Sequence, residues 1–97
     1  MTDEQPDLGV FLEQAQALQE QLTTARAAAA EQTVEGTAAN GAVKVEVTGA
    51  MEFRAIHIDA PLANDVSMLE DVVLAALRDA VHKVNDLNQA VVGNLFD

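Results

Sequence analysis

Cationic side chains concentrate near the end of the chain, in the stretch LRDAVHKV at residues 77–84. Arg78, His82 and Lys83 fall within little more than one helical turn of this stretch. Arg and Lys donate charge-assisted hydrogen bonds to phosphate oxygens, so the cluster has the chemistry of a site for a polyanion such as DNA. Because Arg78 and His82 are four residues apart, a helix would place them on one face, with Lys83 at its margin.

The rest of the chain is strongly acidic, with 16 Asp and Glu residues against 5 Lys and Arg and a formal net charge of -11. A field of this sign repels phosphate at long range, although within a Debye length of about 8 Å the nearest charges matter more. Two interpretations of the cluster therefore stay open: a phosphate contact, or a solvent-exposed helix surface whose charges are balanced by Asp79 and Asp86. Composition alone favours the second.

Residue constellations for catalysis are missing from the sequence. The two histidines, His57 and His82, fall in different predicted elements, without a neighbouring Cys or a Ser in a nucleophile context. Their spacing matches no metal motif, and the sequence contains no Gly-rich phosphate loop. We therefore predict that the protein is not an enzyme and has no catalytic residue, metal site or cofactor. His57 is predicted to lie on the outer or edge face of a strand.

Two long helices are predicted, over residues 8–31 and 67–92. The apolar residues of the first helix recur at alternating intervals of 3 and 4, which is the seam of a helix that packs along another helix. They are Leu8, Phe11, Ala15, Leu18, Leu22, Ala25 and Ala29. The second helix is predicted to begin with a capping box formed by Ser67 and Glu70 and to stop at Gly93. At about 1.5 Å per residue each helix is more than 30 Å long, which exceeds what a small domain needs to cover its own core.

Strands are predicted between the helices, over residues 32–60. The stretch AVKVEVT alternates valines with polar residues, which is typical of a half-buried strand. Gly49-Ala50 after it fits a two-residue hairpin turn, because Gly supplies the positive φ that this turn requires. Val34 is predicted to lie in a short edge strand.

The return strand, MEFRAIHID, changes the parity of its apolar residues along its length. One face can be apolar throughout only if the strand shifts by one residue near Arg54-Ala55, so we predict a β-bulge there. Met51 and Phe53 are predicted to belong to the core.

These elements predict an α+β fold, with a long N-terminal helix, a small antiparallel sheet of two to three strands and a long C-terminal helix. The 97 residues form one domain, 1–97, with an acidic, flexible N-terminus at residues 1–7. Small sheets are marginal in water and the two apolar stripes would stay partly exposed on a monomer, so we expect an intertwined homodimer. The N-terminus lacks a signal-peptide pattern and no apolar run reaches membrane-spanning length, so we expect a cytoplasmic protein without membrane contact.

Three stretches of the chain resemble a known protein family: GAVKVEVTG, FRAIHID and MLEDVVLAALRDAVHKV. They are similar to the patterns G-x-V-K-V-x-V-x-G, R-x-V-x-I-D-P and M-L-E-D-L-V-x-A-A-x-N-D-A of the YbaB/EbfC family of bacterial nucleoid-associated proteins. The Gln-rich LEQAQALQEQL looks like the opening helix of that family. The resemblance implies an α+β protomer that forms an intimate homodimer and binds duplex DNA with limited sequence preference.

The resemblance also implies candidate contact residues. By position, Lys44 matches the lysine of the V-K-V motif, Arg54 matches the strand arginine, and His82 with Lys83 matches a commonly basic pair in the last helix. Arg78 replaces the asparagine of N-D-A and adds a charge.

The sequence departs from the family pattern at other positions. The first helix of the family usually carries several lysines, whereas Arg26 is its one cation here. Ala55 stands where a second arginine is common. The I-D-P motif becomes Ile58-Asp59-Ala60-Pro61, with its proline displaced by one residue.

Two hypotheses for the function follow. The first is a dimeric nucleoid-associated protein that binds duplex DNA in a salt-sensitive way through backbone contacts, with little sequence preference. The candidate DNA-binding residues are Lys44, Arg54, Arg78, His82, Lys83 and Arg26. The alternative is a family member impaired in DNA binding that recruits a protein partner through its acidic helices. Salt dependence of binding to unrelated duplexes separates the two.

Overall fold

The chain forms two long helices and a small sheet, as described by a computed structural model for residues 7–96, with side chains for residues 7–93. In chain order the elements are α1 (Leu8–Glu31), β1 (Thr33–Ala38), β2 (Val43–Thr48), β3 (Phe53–Ile58), a 3₁₀ helix (Ala60–Asn64) and α2 (Val66–Phe96). The strands pair antiparallel in the order β1-β2-β3. The predicted α+β fold is therefore confirmed, in a molecule 82 Å long and only 17 by 15 Å in cross-section.

Helix α1 has the bounds that its apolar spacing predicts. Asp7 caps its start, because the Asp7 carboxylate accepts hydrogen bonds from the backbone N–H groups of Gly9 at 2.9 Å and Val10 at 3.4 Å. The predicted flexible N-terminus lies outside the described residues except for this capping residue. At the other end Ala29 is buried against Gly49, where an added Cβ would collide with the Ala29 carbonyl.

Helix α2 differs from its predicted bounds at both ends. Asp65 caps the start: its side chain accepts from the Met68 N–H at 3.1 Å and its carbonyl accepts from the Leu69 N–H at 2.9 Å. The capping box predicted at Ser67 is therefore wrong, because a residue before the helix already satisfies the free amide. The predicted stop at Gly93 is also wrong, since α2 continues to Phe96. One glycine costs a helix only about 1 kcal/mol, too little to end it.

The turn between β2 and β3 contains three residues, Gly49 to Met51. The Met51 N–H donates to the Thr48 carbonyl at 2.9 Å, and the Thr48 N–H donates to the Glu52 carbonyl at 2.9 Å. The left-handed residue is Met51, with φ 65°. The predicted two-residue turn is wrong because the Thr48 hydroxyl accepts from the N–H groups of Ala50 and Glu52, which favours the longer loop.

The predicted bulge in β3 is confirmed. Glu46 of β2 lies opposite Ala55 and the next residue, Val47, lies opposite Phe53, so Arg54 is the extra residue. The bulge restores the parity of the strand. As a result Phe53, Ile56 and Ile58 share one sheet face with the buried valines of β2, which they oppose.

The core lies between β2 and α2. Its buried residues are Val43, Val45, Val47, Ala76, Ala80 and Val84. Gly36 of β1 lets α2 rest directly on the sheet, because an added Cβ there would lie 2.5 Å from the Ala76 carbonyl and the Ala80 N–H. Val34 belongs to this same strand, so the predicted edge strand is confirmed and is six residues long.

Helix α2 packs over β1 and β2 and leaves β3 largely uncovered. The apolar side chains of β3 are therefore about half exposed in the protomer: Phe53 47%, Ile56 47% and Ile58 40%. The prediction that Met51 and Phe53 are core residues is wrong for a single chain, because Met51 lies in the turn and Phe53 lies on the uncovered strand. The hydrophobic core is thus open along β3.

Candidate nucleic-acid interface

The outer face of the sheet carries Lys44 and His57. Lys44 alternates with the buried valines of β2, so its exposed side chain points away from α2. His57 of β3 lies directly opposite Lys44 and is also exposed, on an edge strand as predicted. The next pair along the same face is Glu46 of β2 opposite Glu35 of β1. This face therefore offers a phosphate two nitrogen groups beside two carboxylates, a weakly favourable site on its own.

Arg54 lies at the rim of the open core. As the bulged residue it has no partner in the β2–β3 pairing, and its side chain is exposed. It borders a shallow depression together with Phe53, Ile56 and Leu77. A cation is thus fixed beside an apolar surface.

Arg78 and His82 lie on the outer face of α2, on the side opposite the buried Ala76 and Ala80. His82 Nε2 is 3.5 Å from the Asp86 carboxylate, and both side chains are largely exposed. Within residues 7–93, no carboxylate lies within ion-pair distance of the Arg78 guanidinium. Arg78 is therefore the member of the cationic cluster whose donors are not engaged by a described acid.

Lys83 joins α2 to β1. Its ammonium donates to the Asp79 carboxylate at 3.0 Å and to the Glu35 carbonyl at 2.8 Å. The same Asp79 oxygen accepts from the backbone N–H of Thr37 at 2.8 Å. The Thr37 hydrogen bond, and then the Lys83 hydrogen bond, hold the pKa of Asp79 below its usual value. A phosphate near Lys83 must therefore compete with one bond within α2 and one that ties α2 to β1.

Arg26 lies exposed in a groove between α1 and α2. The groove is lined on the α2 side by Asn85, Asn88, Gln89, Val92 and Gly93. Asn88 also donates to the Gly49 carbonyl at 3.2 Å, which ties α2 to the β2–β3 turn. Arg26 is thus the cation farthest along the helices from the cluster on α2.

The candidate cations do not converge on one surface of the protomer. Lys44 and His57 lie on the outer sheet face, whereas Arg78 and His82 lie on the outer helix face, on the opposite side of the two layers. Arg54 lies at the open side between them. His57 was not among the predicted contacts, and its place beside Lys44 follows from the strand register rather than from any motif.

The pattern of the YbaB/EbfC DNA-binding family matches residues 4–97 of the chain. The chain belongs to the YbaB/EbfC DNA-binding family. The predicted resemblance is therefore confirmed, and it extends over both helices and the sheet.

Several bacterial nucleoid-associated proteins are similar to this chain over most of its length. A nucleoid-associated protein of Neisseria meningitidis serogroup C is 42% identical over 90 residues, covering 89% of this chain and 81% of that protein. A nucleoid-associated protein of Corynebacterium efficiens is 42% identical over 93 residues, covering 94% and 87%. One from Saccharopolyspora erythraea is 38% identical over 91 residues, covering 92% and 78%.

A solved structure shares the fold. The crystal structure of an uncharacterized Helicobacter pylori protein superposes with a TM-score of 0.80, over 96% of this chain and 100% of that one, at 16% identity. Among the described residues of this YbaB/EbfC family member, neither helix combines the length and apolar character needed to cross a membrane.

Proposed function

We propose that this protein is a homodimeric, nucleoid-associated protein of the cytoplasm that binds duplex DNA through its phosphates, with little sequence preference. Its membership of a DNA-binding family and the nucleoid-associated relatives support the choice of ligand and location. The observation that carries the proposal is the core left open along β3, with Arg54 at its rim.

The open core favours a dimer. Fully burying an Ile or Phe side chain contributes about 1.5–3 kcal/mol, so a second copy that covers the half-exposed β3 residues gains several kcal/mol from that strand alone. Exposed Leu74 and Val81 of α2 extend the same apolar surface. The opposite side of the sheet is closed, because Asp79 and Lys83 bind backbone groups of β1. A two-fold axis beside β3 is therefore the arrangement that we propose.

The dimer gathers cations that one protomer keeps apart. Arg54 of each copy lies beside the proposed axis, and the dimer has ten Lys and Arg residues, five from each chain. About four to six of them can face one duplex, which predicts a slope of roughly -4 to -5 in a plot of log affinity against log salt concentration. The chain has three Phe and no Trp or Tyr, so stacking on bases contributes little. Phosphate contacts then position the protein without reading sequence.

The test is a salt titration of binding to two unrelated duplexes of equal length, with wild type and Arg78→Glu. Because each dimer loses two contacts, we expect Arg78→Glu to weaken binding to both duplexes and to flatten the salt slope by about 2. The control is the double variant Gln16→Glu, Asn64→Glu, which has the same net charge but changes two exposed amides elsewhere. We expect its slope to match wild type.

Three outcomes would contradict the proposal. Affinity that does not respond to salt would argue against phosphate contacts. A large preference for one duplex would argue for base readout. An Arg78→Glu variant that behaves like its charge-matched control would show that the outer face of α2 does not touch DNA.

A further inference from the structure

The first half of α1 carries apolar side chains that are exposed in the protomer. Residues 8–21 are all exposed, including Leu8 at 71%, Phe11 at 62% and Leu18 at 36%. An isolated helix of this length is marginal in water, and apolar residues at its surface make a partner favourable. We call residues 8–18 the α1 tip.

The tip projects beyond the end of α2. Both helices reach the β2–β3 turn at Gly49, α1 through Ala29 and α2 through Asn88. From there α1 continues to Leu8 for about 30 Å, whereas α2 continues to Phe96 for only about 12 Å. The α2 of the same chain is therefore too short to cover the tip.

The tip continues a packing seam that the second half of α1 already uses. Leu22 and Ala25 are half-buried and Ala29 is buried, and these residues follow the same alternating 3 and 4 spacing as Leu8, Phe11, Ala15 and Leu18. A seam of this period packs against another helix. The occupant that fits the tip is thus a helix.

The charges beside the seam indicate which helix packs against the tip. The side chains that flank it are Leu12, Gln14, Gln19 and Gln21, all uncharged, whereas Glu13 and Glu20 lie on the far side of α1. A basic partner would be matched by acids along the flanks. A second copy of this acidic chain packs favourably only where the flanks carry no carboxylates that would repel each other. The flanks of the tip are uncharged and meet this condition.

We propose that the α1 tips of two copies pair antiparallel, end to end. In the register centred on residue 13, Phe11 lies opposite Ala15 of the other copy and Leu8 lies opposite Leu18, so the largest side chain faces the smallest. The overlap is roughly 16 Å long and the two bodies extend in opposite directions, clear of each other. This contact goes beyond the proposed function: it joins one dimer to the next and requires no DNA.

Disulfide trapping tests the register, because the chain has no native Cys. Leu8→Cys and Leu18→Cys are made singly, one of them isotopically labelled, and mixed in equal amounts under glutathione disulfide, and the products are separated by mass. Antiparallel tips give the mixed 8–18 disulfide in excess of the half expected by chance. Glu13→Cys, on the far side of α1, is the control and should not cross-link. Predominant 8–8 and 18–18 products would overturn the proposal.

Sedimentation equilibrium tests the assembly itself. We expect the average mass of wild type to rise with concentration above that of its smallest species, and Phe11→Glu to abolish the rise. Gln16→Glu adds the same charge outside the seam and should behave as wild type. A wild-type mass that stays constant up to sub-millimolar concentration would overturn the proposal. If the chain does not dimerise through β3, the smallest species has the mass of a single chain instead, and the 8–18 disulfide still forms.

Discussion

A single lysine illustrates how local sequence and tertiary structure assign different roles. In the sequence Lys83 extends a cationic cluster, whereas in the fold its ammonium bonds to Asp79 and to the Glu35 carbonyl. Arg78, five residues earlier, has no described acid in ion-pair distance. At the scale of residues, the cluster therefore divides into one group that stabilises the protomer and one whose donors face outward.

Asp79 makes the stability of the protomer depend on pH in the acid range. Because its pKa is lower in the folded chain than in the unfolded chain, its contribution is present above about pH 4 and is lost as pH falls through the folded value. We expect Asp79→Asn to cost on the order of 1 kcal/mol at pH 7, since a charged hydrogen-bond acceptor becomes a neutral one. Urea unfolding of both proteins at pH 7 and in the acid range measures the difference.

The difference between wild type and Asp79→Asn should shrink as the pH falls. Asp86→Asn is the control, because it removes the same charge from α2 without breaking a bond to the sheet. If both variants show equal pH dependence, the bonds from Asp79 to β1 do not contribute as described.

At the scale of elements, one glycine decides how α2 lies on the sheet. Gly36→Ala would place a Cβ 2.5 Å from two backbone atoms of α2, so the helix must move away from β1. We expect a loss of about 1–3 kcal/mol or more in the free energy of unfolding. Gly93→Ala is the matched control: nothing lies within 4 Å of its added Cβ, and it should stabilise α2 by about 0.5–1 kcal/mol. Denaturant midpoints of the two variants should move in opposite directions.

Local sequence patterns predicted the helices and strands, whereas the turn and the strand register depend on contacts that these patterns do not encode. The seam of α1 and the parity change at Arg54 are properties of single segments, so both were predicted correctly. The β2–β3 turn was wrong because the Thr48 hydroxyl bonds select it. With a two-residue turn and the bulge at Arg54, Ile56 would lie opposite Lys44, whereas His57 does. His57 was missed as a contact because its place beside Lys44 depends on this register, which no motif encodes.

At the scale of the whole molecule, the open core predicts where the protomer dimerises. Ile56→Glu places a charge in the half-exposed apolar surface of β3, and burying it unpaired would cost several kcal/mol. We expect the mass measured at low micromolar concentration to fall to half that of wild type.

His57→Glu is the matched control for Ile56→Glu. It changes the adjacent residue on the outer face of the same strand, so we expect it to keep the mass of wild type. A dimer that survives Ile56→Glu would place the two-fold axis elsewhere.

The bonds from Asp79 and Lys83 to β1 also limit how large the sheet can grow. Unpaired strand edges are templates for further strands, and a sheet open at both sides can add copies without end, as in amyloid. Here two backbone groups of β1 are occupied by α2, so only β3 can accept another strand. A sheet with a single open edge can join one other sheet, and the joined sheet then has no open edge. The fold thus permits pairing through β3 while preventing open-ended growth of the sheet.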